Sequence, residues 1–397
     1  MKGMITSFRL FCCYNEARFL REIPNELLIL GKRMKRFLAG FSIFCTALIR
    51  SVADRYAIMI TGELTRLELG TKIQNIFAPN IMLGRKLDFF FHLENYTRLD
   101  PQHTFSADVY NNITAIVLKE FFITQLNKEL SKYNSADIDY DPYVLITHNT
   151  EPQMYSFVNN KPPFPARDRL SLAADVTSLN IFRQWEGVSR CMKNVEEAEA
   201  SMGHRYDRVV KIRSDTYAFS EWIFSTLSLK HGMFSSNHAL AYGISDKNIG
   251  VHRKWADEMF RDPLKFYYST DAHNVTYRSP ENYLLRLAER FHIPKYTVSI
   301  CKMPVINVRG RKNETHFKVD SVIVRDIKME LVKSHCQFNG AAKSITNMFI
   351  NDMIIPMHPI DMVSFQSNHL SEPVADRLYQ QAVNFWSQSY ERERIVA

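Results

Sequence analysis

The chain lacks most of the short signatures by which α/β enzymes announce themselves. No Gly-x-Gly-x-x-Gly follows its first strand-like run, which argues against a nicotinamide or flavin dehydrogenase. No Gly-x-x-x-x-Gly-Lys-Ser/Thr occurs, so a P-loop kinase is excluded. There is no Gly-x-Ser-x-Gly elbow to supply a hydrolase nucleophile. The six cysteines (Cys12, Cys13, Cys45, Cys191, Cys301, Cys336) include no pair at metal-ligand spacing, and His92, His148 and His238 form no His-x-x-x-His or His/Cys cluster. Those histidines read as packed or hydrogen-bonded residues on or near strands. Neither an internal repeat nor a low-complexity segment is visible. The cysteines of the body fit one disulfide plus a free thiol as well as three buried thiols.

A uniform basic surface is missing too. The net charge is +8, but residues 1–55 hold ten Lys and Arg against four Asp and Glu, which accounts for six of the eight charges. The rest of the chain is nearly neutral, and no nucleic acid is expected as a partner. What is present is a globular composition of 397 residues, 46% hydrophobic and 23% charged. That length suits one large α/β domain with appendages, or two lobes. Aromatic residues reach 12% and suit a large core or a site that stacks on rings.

The N-terminal basic surplus has a shape. Lys32-Arg-Met-Lys-Arg36 precedes the apolar run Phe37–Ile49, followed by the small residues Ser51 and Ala53. This is the pattern of a signal sequence, with Met34 as an alternative start. The run is shorter than the ~18–20 residues that span a bilayer, so a membrane tether through residues 37–49 is the competing reading, and a packed amphipathic helix a third. Sequons at Asn95, Asn112, Asn274 and Asn313 add weak support for a glycoprotein of the secretory pathway, since chance alone supplies roughly two or three.

From Asp54 onward strands and helices alternate. Tyr56–Thr61, Leu87–Leu93, Tyr143–Thr147 and Tyr206–Ile212 are continuous apolar runs, the mark of parallel strands buried on both faces. Gly70–Leu83, Ile113–Tyr133, Arg169–Ser201, Arg253–Phe260 and Pro280–Phe291 carry helical spacing, and Gly232–Tyr242 reads as a further strand. The expected organisation is an N-terminal segment (1–53), a Rossmann-like catalytic domain (54–320) and a less regular extension (321–397).

In an open parallel sheet, ligands bind beyond the carboxyl ends of the strands. Two such ends carry chemistry. Gly62-Glu-Leu-Thr-Arg66 offers a glycine that permits close backbone approach and an arginine able to grip a diphosphate, though an ordinary turn with a surface arginine has the same letters. Arg213-Ser-Asp215 ends the strand Tyr206–Ile212. A carboxylate there can hold Mn²⁺ or Mg²⁺, which would neutralise a departing diphosphate; the plainer reading is a turn aspartate.

Several of these segments together resemble a family of glycosyltransferase-like proteins of algae, plants, protists and large viruses. The likeness rests on Cys191 and Glu197–Glu199 before Tyr206-Asp207, then Val209-Val-Lys-Ile-Arg213-Ser-Asp215, where the family has Arg-Pro-Asp. Gly62-Glu-Leu with Arg66, Asp88-Phe-Phe-Phe-His92, Ile244-Ser-Asp246-Lys-Asn-Ile-Gly250 and Glu281 at a helix start are similar as well, so it spans roughly residues 56–300. Ser214 stands in place of the proline, and no Asp-x-Asp is present.

The resemblance implies a GT-A-like, nucleotide-sugar-dependent transferase assisted by a divalent metal, acting on a glycan or protein acceptor. Arg66 and Arg213 would contact the diphosphate, Asp215 the metal or donor sugar, and Asp246 or Glu281 would take the acceptor's proton. Asp246 in a polar loop and Glu281 at a helix N-terminus also have ordinary structural explanations. A silent nucleotide- or sugar-binding homologue and a membrane-tethered interaction protein, with Cys12-Cys13 as acylation sites, are the alternatives. Secretory-pathway and virus-encoded settings both suit the likeness.

Overall fold

A computed structural model describes residues 54–95, 113–133, 140–148, 173–224, 232–237, 243–267, 280–309, 316–319, 321–334 and 338–361. The N-terminal basic-apolar segment, and the sequons at Asn112, Asn274 and Asn313, lie outside them. Among the described residues no helix is long and apolar enough to cross a membrane.

The fold is α/β, built on a mostly parallel seven-stranded sheet flanked by helices. In chain order its strands are β1 (Arg55–Glu63), β2 (Lys86–Asn95), β3 (Tyr143–His148), β4 (Arg208–Arg213), β6 (Met233–Ser236), β7 (Asn248–His252) and β8 (Lys295–Val298). Across the sheet they run β3-β2-β1-β4-β7-β6-β8. β1 pairs in parallel with β2 and β4, and β2 with β3, while β7 runs antiparallel between β4 and β6. The chain builds outward from β1 through β2 to β3, then returns to lay β4 on the other side. The crevice at the carboxyl ends of β1 and β4 is therefore a topological switch point.

The apolar runs alternate between two cores because successive residues of a strand face opposite ways. Ile58, Ile60, Phe89, Phe91, Val210 and Ile212 face one core, and Met59, Phe90, Val209 and Ile249 the other. The second core is sealed by helix α3 (Ala173–Met202), whose Trp185, Val188, Met192 and Val195 recur at helical spacing, and by α5 (Pro280–Arg290).

The first core is covered by α2 (Ala115–Ser131), capped by the Thr114 hydroxyl, and by the helical segment α1. This α1 is α-helical over Gly70–Lys72, widens to a π-turn over Ile73–Phe77 and returns to α over Ala78–Met82. Pro79 cannot donate to the Asn75 carbonyl, which instead accepts from Trp222 N at 2.8 Å. The proline thus couples α1 to the chain that follows β4.

That chain leaves the main sheet within two residues. β5 (Thr216–Ala218) joins a smaller sheet ordered β11-β10-β9-β5, with β9 (Val305–Arg309), β10 (His316–Val319) and β11 (Ile354–Pro356). Behind it lie α6 (Ser321–Ser334) and α7 (Gly340–Asp352), whose Ile323, Ile327, Ile345 and Phe349 enter the same core as β1. Residues past 320, read from sequence as a less regular extension, carry two helices and a strand here. A short helix α4 (Pro263–Tyr267) follows β7, and a 3-10 turn, Leu64–Arg66, follows β1. The segment expected as one helix over Arg253–Phe260 forms a 3-10 turn, Arg253–Trp255, and a π-turn, Asp257–Arg261. The strand expected over Gly232–Tyr242 is described only to Ser236, residues 238–242 lying outside the described set.

Candidate functional site

The six residues singled out from sequence gather around the switch point. Gly62 lies at the end of β1 with Arg66 just beyond it, Arg213 ends β4 and Asp215 follows it, Asp246 precedes β7, and Glu281 opens α5. Ile244 N donates to the Glu281 carbonyl at 3.0 Å, which brings the Asp246 loop onto the start of α5. Gly62 has a specific reason to be glycine. Its φ is +136°, and a Cβ there would lie 2.4 Å from Ser214 Oγ. The close approach is to the β4 terminus.

Asp215 occupies the two-residue step between the sheets. Its Oδ2 accepts from Arg213 Nη2 at 2.7 Å and its Oδ1 from Asn307 Nδ2 at 2.8 Å, so both oxygens are engaged. Burial pushes this carboxyl up, but the Arg213 and Arg66 guanidiniums and these two hydrogen bonds prevail and hold it below the usual aspartate range. Arg66 Nε pairs with Glu63 at 2.8 Å.

A buried lysine unread from sequence fixes this turn from behind. Lys72 is fully buried, and its Nζ donates to the carbonyls of Ser214 at 2.8 Å and Thr216 at 2.5 Å, and to the Glu68 carbonyl. It also pairs with Glu68 Oε2 at 3.2 Å. Burial lowers the amine's pKa, opposed by the Glu68, Asp361 and Asp215 carboxylates. Four oxygens around one nitrogen call for the three protons of an ammonium. Asp361, from the far end of the described chain, accepts from Leu69 N at 2.7 Å and Gly70 N at 3.0 Å and so caps α1.

Toward α3, Lys211 is buried and donates to the Asp246 carbonyl. Burial drives its pKa down to about 8 against the pull of Asp246. The Asp246 carboxyl is pushed up by burial, but Lys211, Arg213 and Lys247 outweigh this and keep it below the ordinary value. Asp246 Oδ2 accepts from Gln184 Nε2 at 2.8 Å, while Oδ1 is buried with no partner among the described residues. Among the described residues Ser245 Oγ, Thr61 Oγ1 and both ring nitrogens of His92 likewise lack a partner. Thr61 and His92 are register partners on β1 and β2, and Thr61 is paired with Arg213 on its other side. One face of the carboxyl edge thus carries a row of buried polar groups with unused hydrogen-bonding capacity, each costly unless a ligand or water meets it. Lys211 and Asp246 line a cavity of about 10 Å³, room for a single water.

A wider cleft, about 780 Å³, opens at the opposite edge of the sheet between Asp88, Lys119, Tyr143 and Glu197, and contains none of the six residues. The amino edge is the wrong end of a parallel sheet for this chemistry, so the switch point is the candidate site.

A divalent cation fits the described residues poorly. Hard cations take six or more oxygens, one or two of them commonly protein carboxylates and the rest carbonyls, waters or substrate phosphates. Here each Asp215 oxygen already accepts a hydrogen bond, a guanidinium adjoins it, and no group of three His, Cys, Asp or Glu could hold a metal among the described residues. Cys191 is a buried free thiol and Cys301 is disulfide-bonded.

The chain matches no model of a known family and no curated protein.

Proposed function

We propose that this chain is a glycosyltransferase with a GT-A-like catalytic domain, moving a sugar from a nucleotide-sugar donor to a hydroxyl on a glycan or protein acceptor. The observation that carries the reading is the convergence of Arg66, Arg213, Asp215 and Asp246 at the β1/β4 switch point, with Asp246 Oδ1 buried and unpartnered among the described residues. Arginine forks suit a diphosphate, and a row of unused polar groups suits sugar hydroxyls.

In this mechanism Arg66 and Arg213 grip the diphosphate. Asp215 keeps Arg213 in place and takes no part in bond making. Asp246, ionised at neutral pH and with one oxygen uncommitted, receives the proton of the attacking hydroxyl. The hydroxyl oxygen bonds to the anomeric carbon, and the bond from that carbon to the phosphate oxygen breaks. The nucleoside diphosphate leaves with the electron pair, its negative charge met by the guanidiniums. Glu281 borders the Asp246 loop and is the second candidate base. The disulfide at Cys301 supports placement in an oxidising compartment such as the secretory pathway.

The test is release of nucleoside diphosphate from a panel of nucleotide sugars, paired with thermal stabilisation by the same compounds. Asp246→Asn should lower turnover by about a hundredfold or more while leaving nucleotide binding within about twofold. Binding without turnover by the unaltered chain, across donors and acceptors, would favour a silent nucleotide-binding homologue. No stabilisation by any nucleotide would remove the transferase reading.

A further inference from the structure

Resting on that reading, we infer that the donor's diphosphate is neutralised by the chain's own cations, Arg66 and Arg213 backed by Lys72, with no divalent metal between protein and phosphate.

Three observations lead there. Asp215, the carboxylate best placed for a metal, has both oxygens engaged by Arg213 Nη2 and Asn307 Nδ2. The oxygens behind it are taken as well. The carbonyls of Ser214, Thr216 and Glu68, with the Glu68 carboxylate, are the set a hard cation would choose, and they surround the Lys72 ammonium. The cation of this turn is therefore covalently part of the chain. Finally, both arginine side chains keep an edge toward solvent, at 23% exposure for Arg213 and 14% for Arg66, while Asp215 stays at 5%. Two guanidinium edges reach the crevice, beside the Glu63 carboxylate that pairs with Arg66 and is 19% exposed. A doubly charged ion brought to the same spot would have to displace a guanidinium from its carboxylate, Arg213 from Asp215 or Arg66 from Glu63, before it could bind either.

Carboxylate and arginine also have separable roles here. Asp215, itself held by Asn307, fixes Nη2 of the Arg213 fork, and a planar group so fixed loses little freedom on meeting a phosphate. Lysine at 213 retains the charge and loses the fork.

The experiment is calorimetric titration of the full chain with UDP, GDP and inorganic pyrophosphate, in EDTA and again with Mn²⁺. The expected result is binding of at least one nucleotide in EDTA, strengthened by Mn²⁺ no more than about threefold. Arg213→Lys should weaken that binding by about tenfold or more. Arg66→Gln provides a second variant should Arg213→Lys unfold, and the exposed Arg286→Gln is the control expected to bind normally. Binding that appears only with Mn²⁺ and vanishes in EDTA would overturn the inference and leave the transferase reading standing. Absence of binding in both conditions, by chain shown to be folded, would take down both.

Discussion

Replacing Lys72 by methionine should be among the most damaging single changes in the molecule. Lys72 and Glu68 are both fully buried, and the methionine fills the space of the stem while deleting the charge. Glu68 would then keep only the Thr71 N–H on Oε1, at 2.8 Å, with its other oxygen buried and unpaired. The Ser214 carbonyl retains a donor, Glu68 N at 2.8 Å, so the orphaned carboxylate dominates the loss. Removing one partner of a buried pair costs about 3–5 kcal/mol, a large part of the roughly 5–15 kcal/mol that holds a domain folded. Urea unfolding followed by the fluorescence of buried Trp222 measures it. Adding Glu68→Gln to Lys72→Met removes the stranded charge and should restore about 2 kcal/mol or more. Lys72→Arg should not rescue, because a planar fork cannot reproduce four oxygens around one nitrogen. A loss below about 1 kcal/mol for Lys72→Met, or no gain from the second change, would refute the cage as described.

Two other perturbations follow from the same geometry. Gly62→Ala should destabilise by about 2 kcal/mol or more in the same unfolding assay, since both the positive φ and Ser214 Oγ at 2.4 Å oppose a Cβ; stability equal to the parent would show the two strand ends to be looser than described. Burial holds the His92 imidazole down to about 4, helped by Arg190, and His358 down to about 3. Both sit below the unfolded value of about 6.5, so the unfolded chain binds more protons in between. Their stability contribution is present above about pH 6.5 and is lost on acidification toward those folded values. His92→Leu should make the slope of stability against pH between about 6.5 and 4 shallower, and curves that run parallel would contradict this.

The sequence announced the strands of the sheet's parallel side clearly, because burial on both faces leaves continuous apolar runs such as Ala57–Ile60 and Phe89–Phe91. Helices α2, α3 and α5 were equally plain from spacing. Past residue 320 the signal was present and weaker: Ile323 and Ile327, then Ala342, Ile345 and Phe349, recur at helical intervals, interrupted by polar residues that face outward. Arg253–Phe260 looked helical by spacing alone. Arg253 is instead bound by Glu199 through Nε and Nη2, each at 2.7 Å, a tie across 54 residues that no local pattern encodes.

The candidate site divides along the same line. Arg213 and Asp215 were visible because a strand end presents its own residues, and the strand itself was visible. Their electrostatic partners were not. Asn307, which occupies one oxygen of Asp215, arrives on β9, and Asp361, which caps α1, comes from 292 positions away. Lys72 looked like any basic residue on a helix. Sequence therefore supplied the carboxylate on which a metal reading rests and the neighbouring Arg213, while the Asn307 that occupies the other oxygen came only with tertiary structure. A lone aspartate at a strand end is ambiguous between binding a cation and orienting an arginine. One quantity that bears on the choice is how many of its oxygens already accept hydrogen bonds, and here both do. On the metal-free reading proposed above, that aspartate holds an arginine fork in place.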